Sequence, residues 1–384
     1  MGAWHVIGRI YGHLFSHGNS DPIIAVTKGH LSRLGYKVGD ADDTVFDHVF
    51  ESGLRQFQQD RGIVVDGVLG KESLDEIELA RFRLGDRILK YDPSRPQVGD
   101  DVADLQKRLA NLGLLTARIN FRFEDATDSA VRSAQRQLGL NPDGVVGPKT
   151  IKALNDVHRD HAVGNLFNLT ERARVKSLGP SLAGQVIVLE SAASYRHFPT
   201  QEFTPEQAEF ERRISDDIAR RVDGRLTAMG AAVVHAANDN PRIADDLRAS
   251  ALISIAQDNS PSPLPNGVAT YYFGSTKTPS IFSPVGRELA NLVSREIASR
   301  TPLLDCRSHA KSWEPLRVLN TPKIYVLAGY ASNEHDHALL EDADVRADLA
   351  EAIVAAVQRL FLTEQNDYDT GTLDLSNVPW ASRS

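Results

Sequence analysis

The strongest constraint on the fold is an internal repeat in the first 155 residues of this 384-residue chain. Residues 54–74 recur as residues 131–151, 77 positions later, and Leu31–Gly35 recurs as Leu109–Gly113. Each copy has one helical pattern that ends in Leu-Gly, a second helical pattern, an Asp-Gly turn and a third short helix. A repeat of this size predicts two small all-α three-helix modules, because each copy carries a complete set of elements.

The glycines of the repeat have a physical reason to recur. Gly35 and Gly113 follow the last apolar residue of a helical pattern, where a left-handed residue ends a helix. The dipeptides Asp66-Gly67 and Asp143-Gly144 predict tight turns.

From about residue 179 the pattern changes to apolar runs that alternate with amphipathic helices. We expect strands at Val186–Leu189, Ala231–Ala236, Leu252–Ala256, Val268–Phe273, Leu316–Leu319 and Lys323–Ala328. One helix is predicted from Phe210 to Leu226 and another from Leu349 to Phe361, each with an apolar residue at nearly every fourth position. Alternating strands and helices predict an α/β unit with a central, mostly parallel sheet.

Composition excludes several classes of protein. Hydrophobic residues make up 41% of the chain, and no apolar run approaches the ~20 residues that cross a bilayer. The net charge of -8 gives no basic field for nucleic acid. The single Cys306 excludes an intramolecular disulfide. His5, Arg9 and His13 interrupt the apolar residues at the N-terminus, so we expect no signal peptide and a cytoplasmic location.

The repeated module resembles the peptidoglycan-binding-1 domain, a three-helix bundle with the signature Phe-Gln, Gly-Leu, Asp-Gly, Gly and Thr. The resemblance places one module at residues 25–82 and a second at 99–158, joined by a linker at 83–98 and preceded by an N-terminal extension at 1–24. It implies candidate ligand contacts at Phe57, Gln58, Asp66, Gln135 and Asp143. The alternative reading is that these five residues only pack the module and form its turn.

Residues 182–362 resemble the amidase-3 family of zinc-dependent N-acetylmuramoyl-L-alanine amidases. That resemblance implies a zinc ion held by His, Glu and His, with a second Glu that takes the proton of a zinc-bound water. The family's first motif, Asp-Pro-Gly-His-Gly, corresponds to Glu190–Ser194 and places Ala193 at the first His. The Glu ligand on the following helix corresponds to Glu211.

The remaining two motifs lie on later strands. The family motif Ile-Ser-Ile/Leu-His-Ala-Asn corresponds to Ile253–Asp258 and places Ala256 at the second His. The last motif corresponds to Val326–Asn333, with Leu327 at the catalytic Glu. The sequence therefore predicts a degenerate amidase without zinc, cofactor or hydrolytic activity, because one carboxylate cannot replace the whole site.

A relocated zinc site is the main alternative for this unit. His197 follows Ala193 by four residues, and His235 follows the apolar pair Val233-Val234. Each histidine fits an ordinary surface or loop position better than that of a displaced ligand.

Residues 363–384 are polar and acidic, with few helix signals, which is typical of a disordered tail. Acidic residues precede Thr370, and Thr372 follows after one glycine, which suits a Ser/Thr kinase substrate.

The whole layout resembles actinobacterial regulators of peptidoglycan precursor synthesis. The resemblance implies phosphorylation of Thr370 or Thr372 by a Ser/Thr protein kinase, activation of MurA, and an FHA-domain protein and the lipid II flippase MurJ as further partners. A passive protein that binds peptidoglycan or its precursors remains an alternative.

Overall fold

The computed structural model of the chain describes residues 14–157, 171, 175, 181–191, 204–236, 242–260, 262–275, 281–317 and 319–361. They form two helical modules followed by a unit built on a six-stranded sheet, which confirms the predicted multidomain fold class. In this described part of the chain, no helix combines the length and the apolar character needed to cross a membrane.

Each module consists of three helices. The first module contains α1 (Pro22–Leu34), α2 (His48–Arg61) and α3 (Lys71–Leu79), and the second contains α4 (Asp100–Asn111), α5 (Asp125–Gln137) and α6 (Pro148–Val157). Gly35 ends α1 at φ 100°, and Gly113 follows α4 at φ 72°, so both adopt the predicted left-handed conformation. Gly67 and Gly144 have φ values of 70° and 74° in the Asp-Gly turns.

The first module begins before the predicted boundary at residue 25. The side chain of Asp21 accepts a hydrogen bond from the N–H of Ile23 and caps α1, whose first residue is Pro22. Further upstream, Phe15 pairs with Leu69 in a β-bridge. Part of the segment that we assigned to the extension 1–24 therefore belongs to the module.

The segment predicted as a linker, residues 83–98, packs on the second module. Leu89 is fully buried, and it exchanges both backbone hydrogen bonds with Val146. Arg87 forms an ion pair with Asp101, with 2.7 Å between Nε and Oδ2. The segment joins the modules, but it also completes the second one.

The sheet consists of β1 (Val186–Ser191), β2 (Ala232–His235), β3 (Ala251–Asp258), β4 (Val268–Phe273), β5 (Asp305–Lys311) and β6 (Lys323–Tyr330). The strand order is β2-β1-β3-β6-β4-β5. Neighbouring strands are parallel except β4 and β6, which are antiparallel. The carboxyl ends of β1, β3 and β6 therefore meet at one edge.

The helices of this unit are α7 (Pro205–Ala228), α8 (Ile243–Asp246), α9 (Pro284–Arg300), α10 (Glu314–Arg317), α11 (Glu334–Glu341) and α12 (Ala343–Phe361). A capping box between Thr204 and Gln207 starts α7. The apolar residues that the sequence predicted for this helix, from Phe210 to Leu226, are all buried. Because α7, α9 and α12 bury their apolar stripes against Ile253, Ile255 and Val326, these side chains define the first face of the sheet.

The second face of the sheet carries Tyr271, Phe273 and Tyr325. These side chains belong to the same apolar cluster as the core of the second module. The ring of Phe121 stands edge-on to that of Phe273, with 6.5 Å between their centroids. The second module therefore covers this face much as a helix layer would.

One predicted strand was wrong and one strand was missed. Leu316–Leu319 was expected to be a strand, but Glu314–Arg317 forms the short helix α10. The missed strand is β5, whose sequence Asp-Cys-Arg-Ser-His-Ala-Lys has no apolar alternation because it lies at the edge of the sheet.

Candidate functional site

The motif positions on β3 and β6 lie next to each other in the fold. Ala256 and Leu327 are register partners on these neighbouring parallel strands, and they are only 6% and 2% exposed. Positions 71 residues apart in the sequence thus meet near the carboxyl ends of the strands, where α/β folds place their ligands. We use the term motif site for Ala193, Glu211, Ala256 and Leu327.

Glu211 lies in the N-terminal part of α7. Its negative charge contributes to the raised pKa of Asp258, the last residue of β3. The structure thus brings Glu211 into the electrostatic environment of the motif site. Ala193 and His197 lie outside the described residues, as do Thr370 and Thr372.

The carboxyl group of Asp258 is the most perturbed acid of this edge. Burial raises its pKa to about 7, Glu72 and Glu211 add to the rise, and the N–H of Asn259 opposes it by donating a hydrogen bond of 2.8 Å. A carboxyl group with such a pKa changes charge close to neutral pH. It occupies the Asn position of the family's third motif, two residues after Ala256.

Two tyrosines lie within the electrostatic range of Asp258, and one of them, Tyr330, is its register partner on β6. Burial raises the pKa of Tyr330 and of Tyr271 above the ordinary range of tyrosine, and the charge of Asp258 contributes to both shifts. The indole of Trp313 packs on Tyr271, with 4.8 Å between the ring centroids. These phenols are therefore neutral hydrogen-bonding groups rather than proton acceptors.

The residues at the described motif positions do not fit the zinc ion that the amidase-3 family implies. Zinc takes nitrogen, sulfur or oxygen ligands, but Ala256 offers a methyl group and Leu327 a branched alkyl group. Glu211 is the donor that remains among these three positions. Across the described ranges, no group of three or more His, Cys, Asp or Glu side chains is arranged to hold a metal ion.

The alternative ligand His235 has a different partner. Its Nε2 lies 3.0 Å from Oδ2 of Asp223 on α7, and both side chains are more than a third exposed. The pair is therefore a surface contact between β2 and α7, beside the sheet and not at the motif site.

A buried ion pair lies beneath the motif site, and sequence reasoning missed it. Nζ of Lys323 on β6 donates to Oε2 of Glu190 on β1 at 2.7 Å, and the hydroxyl of Ser254 donates to the same oxygen at 2.5 Å. Both charged side chains are at most 5% exposed. A charged residue within an apolar strand pattern is the signal that could have indicated them.

The candidate ligand contacts of the modules have structural partners. The buried Nε2 of Gln58 donates to Asp66, Ser73 and the carbonyl of Val68, and its Oε1 accepts from the N–H of Gly67.

The second module repeats this network. Nε2 of Gln135 donates to Asp143 and to Thr150, which takes the place of Ser73, and the N–H of Gly144 donates to Oε1 of Gln135. Phe57 is 1% exposed and belongs to the core of the first module. These contacts favour the reading that the five residues hold the module together. Their role in ligand binding stays a prediction.

Comparison with known proteins places the chain in a family. The family model described as N-acetylmuramoyl-L-alanine amidase matches residues 204–359, and the peptidoglycan binding domain matches residues 21–77 and 98–154. Over 342 residues, the chain is 34% identical to the N-acetylmuramoyl-L-alanine amidase CwlM of Mycobacterium tuberculosis (strain ATCC 25618 / H37Rv). The match covers 87% of this chain and 84% of that relative. The chain belongs to the amidase-3 family. Within it, this family member is a CwlM homologue with two peptidoglycan-binding modules.

Other relatives of this amidase-3 protein match a smaller part of it. The probable cell wall amidase LytH of Staphylococcus epidermidis is 26% identical over 183 residues, which is 47% of this chain and 60% of LytH. Among solved structures, AmiC2 of Nostoc punctiforme aligns with 46% of this chain and 97% of its own, at 21% identity and a TM-score of 0.39. Ami1 of Mycobacterium smegmatis aligns with 47% and 98%, at 22% identity and a TM-score of 0.39.

Proposed function

We propose that this amidase-3 protein is a non-catalytic, cytoplasmic regulator of peptidoglycan precursor synthesis that acts by binding other proteins. The observation that carries the proposal is the Ala256–Leu327 pair, which places two side chains without donor atoms where the family has a zinc ligand and a general base. Without a metal ion to lower the pKa of water, and without a base, hydrolysis of an amide lacks both of its main contributions.

The proposed mode of action follows from the resemblance to actinobacterial regulators. A Ser/Thr protein kinase would phosphorylate Thr370 or Thr372, and the phosphorylated chain would activate MurA. An FHA-domain protein and the lipid II flippase MurJ are proposed as further partners. Each added phosphate brings a charge of about -1.5 to -2 at pH 7, which an arginine-lined pocket of a partner can bind.

Two measurements test the loss of catalysis. Metal analysis of the purified chain is expected to find no stoichiometric zinc, and incubation with peptidoglycan is expected to release no muropeptides. A triple variant, Ala193→His, Ala256→His and Leu327→Glu, serves as a matched comparison because it restores the donors that the family motifs contain. Stoichiometric zinc in the unmodified chain, or muropeptide release by it, would contradict the proposal.

A separate assay tests the regulatory role. MurA activity is measured with the kinase-treated chain and with kinase-treated Thr370→Ala, Thr372→Ala and doubly substituted chains. We expect the kinase-treated chain to stimulate MurA and the double variant to leave MurA at its basal rate. Equal stimulation by the double variant and the kinase-treated chain would exclude the tail as the switch.

One observation favours a second function. The relative CwlM carries the name of an amidase, so a zinc amidase with a relocated metal site is the competing proposal for this chain. The zinc analysis decides between the two. A passive protein that binds peptidoglycan or its precursors would instead sediment with insoluble peptidoglycan and be indifferent to kinase treatment.

A further inference from the structure

A buried chain of ion pairs and hydrogen bonds joins the three units of the protein. Arg61, the last residue of α2 in the first module, donates from Nε to Oε2 of Glu76 on α3 at 2.7 Å. Its Nη1 donates to Oδ2 of Asp100, the first residue of α4 in the second module, at 2.8 Å. The hydroxyl of Ser312, which follows β5 of the sheet unit, donates to Oε1 of Glu76 at 2.6 Å. We call these four residues the junction.

The charged groups of the junction are shielded from solvent. The side chains of Arg61, Glu76 and Asp100 are 7%, 5% and 9% exposed. Burial disfavours the charge of Arg61, but Glu76 and Asp100 outweigh this effect and raise the pKa of the guanidinium. Salt screens buried pairs much less than surface pairs, so we expect the junction to persist at high ionic strength.

Further hydrogen bonds close the interface between the first module and the sheet unit. Nζ of Lys311, whose side chain is 10% exposed, donates to Oε1 of Glu72 at 3.0 Å and to the carbonyl of Gly62 at 3.3 Å. Nε1 of Trp313 donates to the same oxygen of Glu72 at 3.0 Å. The gap that remains beside Lys311 has a volume of about 10 Å³, which is room for one water molecule at most. The contact is thus polar but closely packed.

The repeat shows that the module fold does not need the junction. The second module has an uncharged residue at both positions of the first module that contribute to it, with Leu138 for Arg61 and Ala153 for Glu76. Leu138 packs against the apolar cluster of its own module. Because burying a charge costs free energy that the module fold can avoid, we infer that Arg61 and Glu76 serve the contact with the neighbouring units.

We propose that the junction locks both modules and the sheet unit into one rigid body, so that the first module is a fixed part of the fold and not a mobile binding module. Domains of one chain usually move relative to each other unless their interface is extensive. Here any movement of the first module away from its neighbours would break its bonds to Asp100 and Ser312 together. A ligand or partner that contacts both modules therefore meets them at one fixed spacing and orientation. The lock does not depend on phosphorylation or on hydrolysis at the motif site.

Distance measurement between spin labels on the full chain tests the lock. In a Cys306→Ser background, Val49→Cys labels the first module, Ser129→Cys the second module and Arg220→Cys helix α7 of the sheet unit, and all three positions are exposed. The labels are introduced two at a time, which gives three pairs. We expect narrow distance distributions for all three pairs at 0.1 M salt and at 1 M salt, where the Debye lengths are ~10 Å and ~3 Å.

Substitutions in the first module then test the role of the junction. Arg61→Leu installs the residue of the second module and leaves Glu76 and Asp100 buried without their shared counter-charge. We expect both distributions that involve Val49 to widen roughly twofold or more, because separation of the units lets water solvate the two carboxylates. Glu76→Ala also installs a residue of the second module and removes the acceptor of Ser312, so it should widen the distribution between the first module and α7.

A matched control lies on the same helix as Arg61. Arg55→Leu breaks the ion pair of Arg55 with Glu51, in which the arginine side chain is 44% exposed, and it should leave every distribution unchanged. The Ser129–Arg220 pair should stay narrow in all variants, because the second module packs on the sheet through an apolar cluster. Circular dichroism verifies that each variant keeps its helices.

Either of two results would overturn the proposal. The first is a broad distribution for a Val49 pair in the unmodified chain at either salt concentration, which would mean that the first module is mobile. The second is a narrow distribution for the Val49 pairs in both Arg61→Leu and Glu76→Ala, which would mean that the junction does not hold the module. Zinc content and MurA activation do not enter these readouts, so the lock and the proposed function fail separately.

Discussion

The buried pair Glu190–Lys323 yields the sharpest stability prediction. Lys323 is 1% exposed and donates to Glu190, which also accepts from Ser254, so all three groups are satisfied only together. Lys323→Met preserves the length of the side chain but leaves a carboxylate without its counter-charge in the core. Breaking a buried pair in this way costs about 3–5 kcal/mol of unfolding free energy.

The double variant Glu190→Leu with Lys323→Met is expected to behave differently. Burial lowers the pKa of Lys323 although Glu190 opposes the shift, which indicates that desolvation outweighs attraction within the pair. Apolar replacement of both partners removes the two desolvation costs together and leaves only the hydroxyl of Ser254 without its acceptor. We therefore expect the double variant to lie within ~1–2 kcal/mol of the unmodified chain.

Hydrogen exchange suits this measurement because a chain of several units need not unfold in one step. The opening free energies of the amides of Tyr325 and Leu327 report on the sheet locally. Lys149→Met on the exposed surface is the control and should change them by less than ~0.5 kcal/mol. A loss below ~1 kcal/mol in Lys323→Met, or an equal loss in the double variant, would refute the reasoning.

Three further predictions concern single positions. Burial raises the pKa of Asp258 to about 7, so its carboxyl group destabilises the fold increasingly from pH ~4 to ~7. Asp258→Asn should therefore raise the melting temperature at pH 8 but not at pH 4, and the gain in unfolding free energy at pH 8 should be at most ~4 kcal/mol. Burial lowers the pKa of His30 to about 4, and the positive charges of Arg33 and Arg81 add to the effect. Stability should therefore fall as the pH drops from 6.5 to 4, and His30→Gln should flatten that slope in a pH series of thermal melts. At Gly144 an added Cβ would lie 2.2 Å from Oδ1 of Asp128, whereas Gly139 has a similar φ of 70° and no atom within 4 Å of an added Cβ. Gly144→Ala should therefore lower the melting temperature more than Gly139→Ala, and equal losses would contradict this.

Local patterns predicted the modules and the main helices well. Gly35 and Gly113 adopt the left-handed conformation, and α7 buries the stripe from Phe210 to Leu226, because each of these features depends on residues only a few positions apart. The pattern failed at Leu316–Leu319, an apolar run too short to separate strand from helix. Its first residues, Leu316 and Arg317, belong to α10, and Leu316 packs in the apolar cluster of the second module.

Of the candidate site, the sequence predicted only the positions that the family motifs assign to particular strands. The motifs placed Ala256 and Leu327 in one site, and their register pairing agrees with that expectation. Contacts such as Glu72–Lys311 join residues 239 positions apart and have no local pattern, so the sequence alone could not indicate them. The same holds for Glu190 and Lys323, which lie on β1 and β6 and pair across the intervening strand β3, where Ser254 donates to Glu190.

The repeat separates what a module needs for folding from what it uses to contact other units. Gln58 and Gln135 make the same hydrogen bonds to an Asp-Gly turn, so natural divergence has left that network intact.

The copies differ at the residues that reach the sheet unit. Arg118 and Phe121 of the second module correspond to Ala41 and Thr44 of the first, and Phe121 is held at φ 63°, a left-handed conformation that costs a side chain about 1 kcal/mol or more. Such strain persists only where surrounding contacts stabilise it, here the packing on Phe273 and the hydrogen bond from its N–H to Gln106. The second module thus contacts the sheet unit through apolar packing, and the first module, with Glu72 in place of a lysine, contacts it through hydrogen bonds from Lys311 and Trp313.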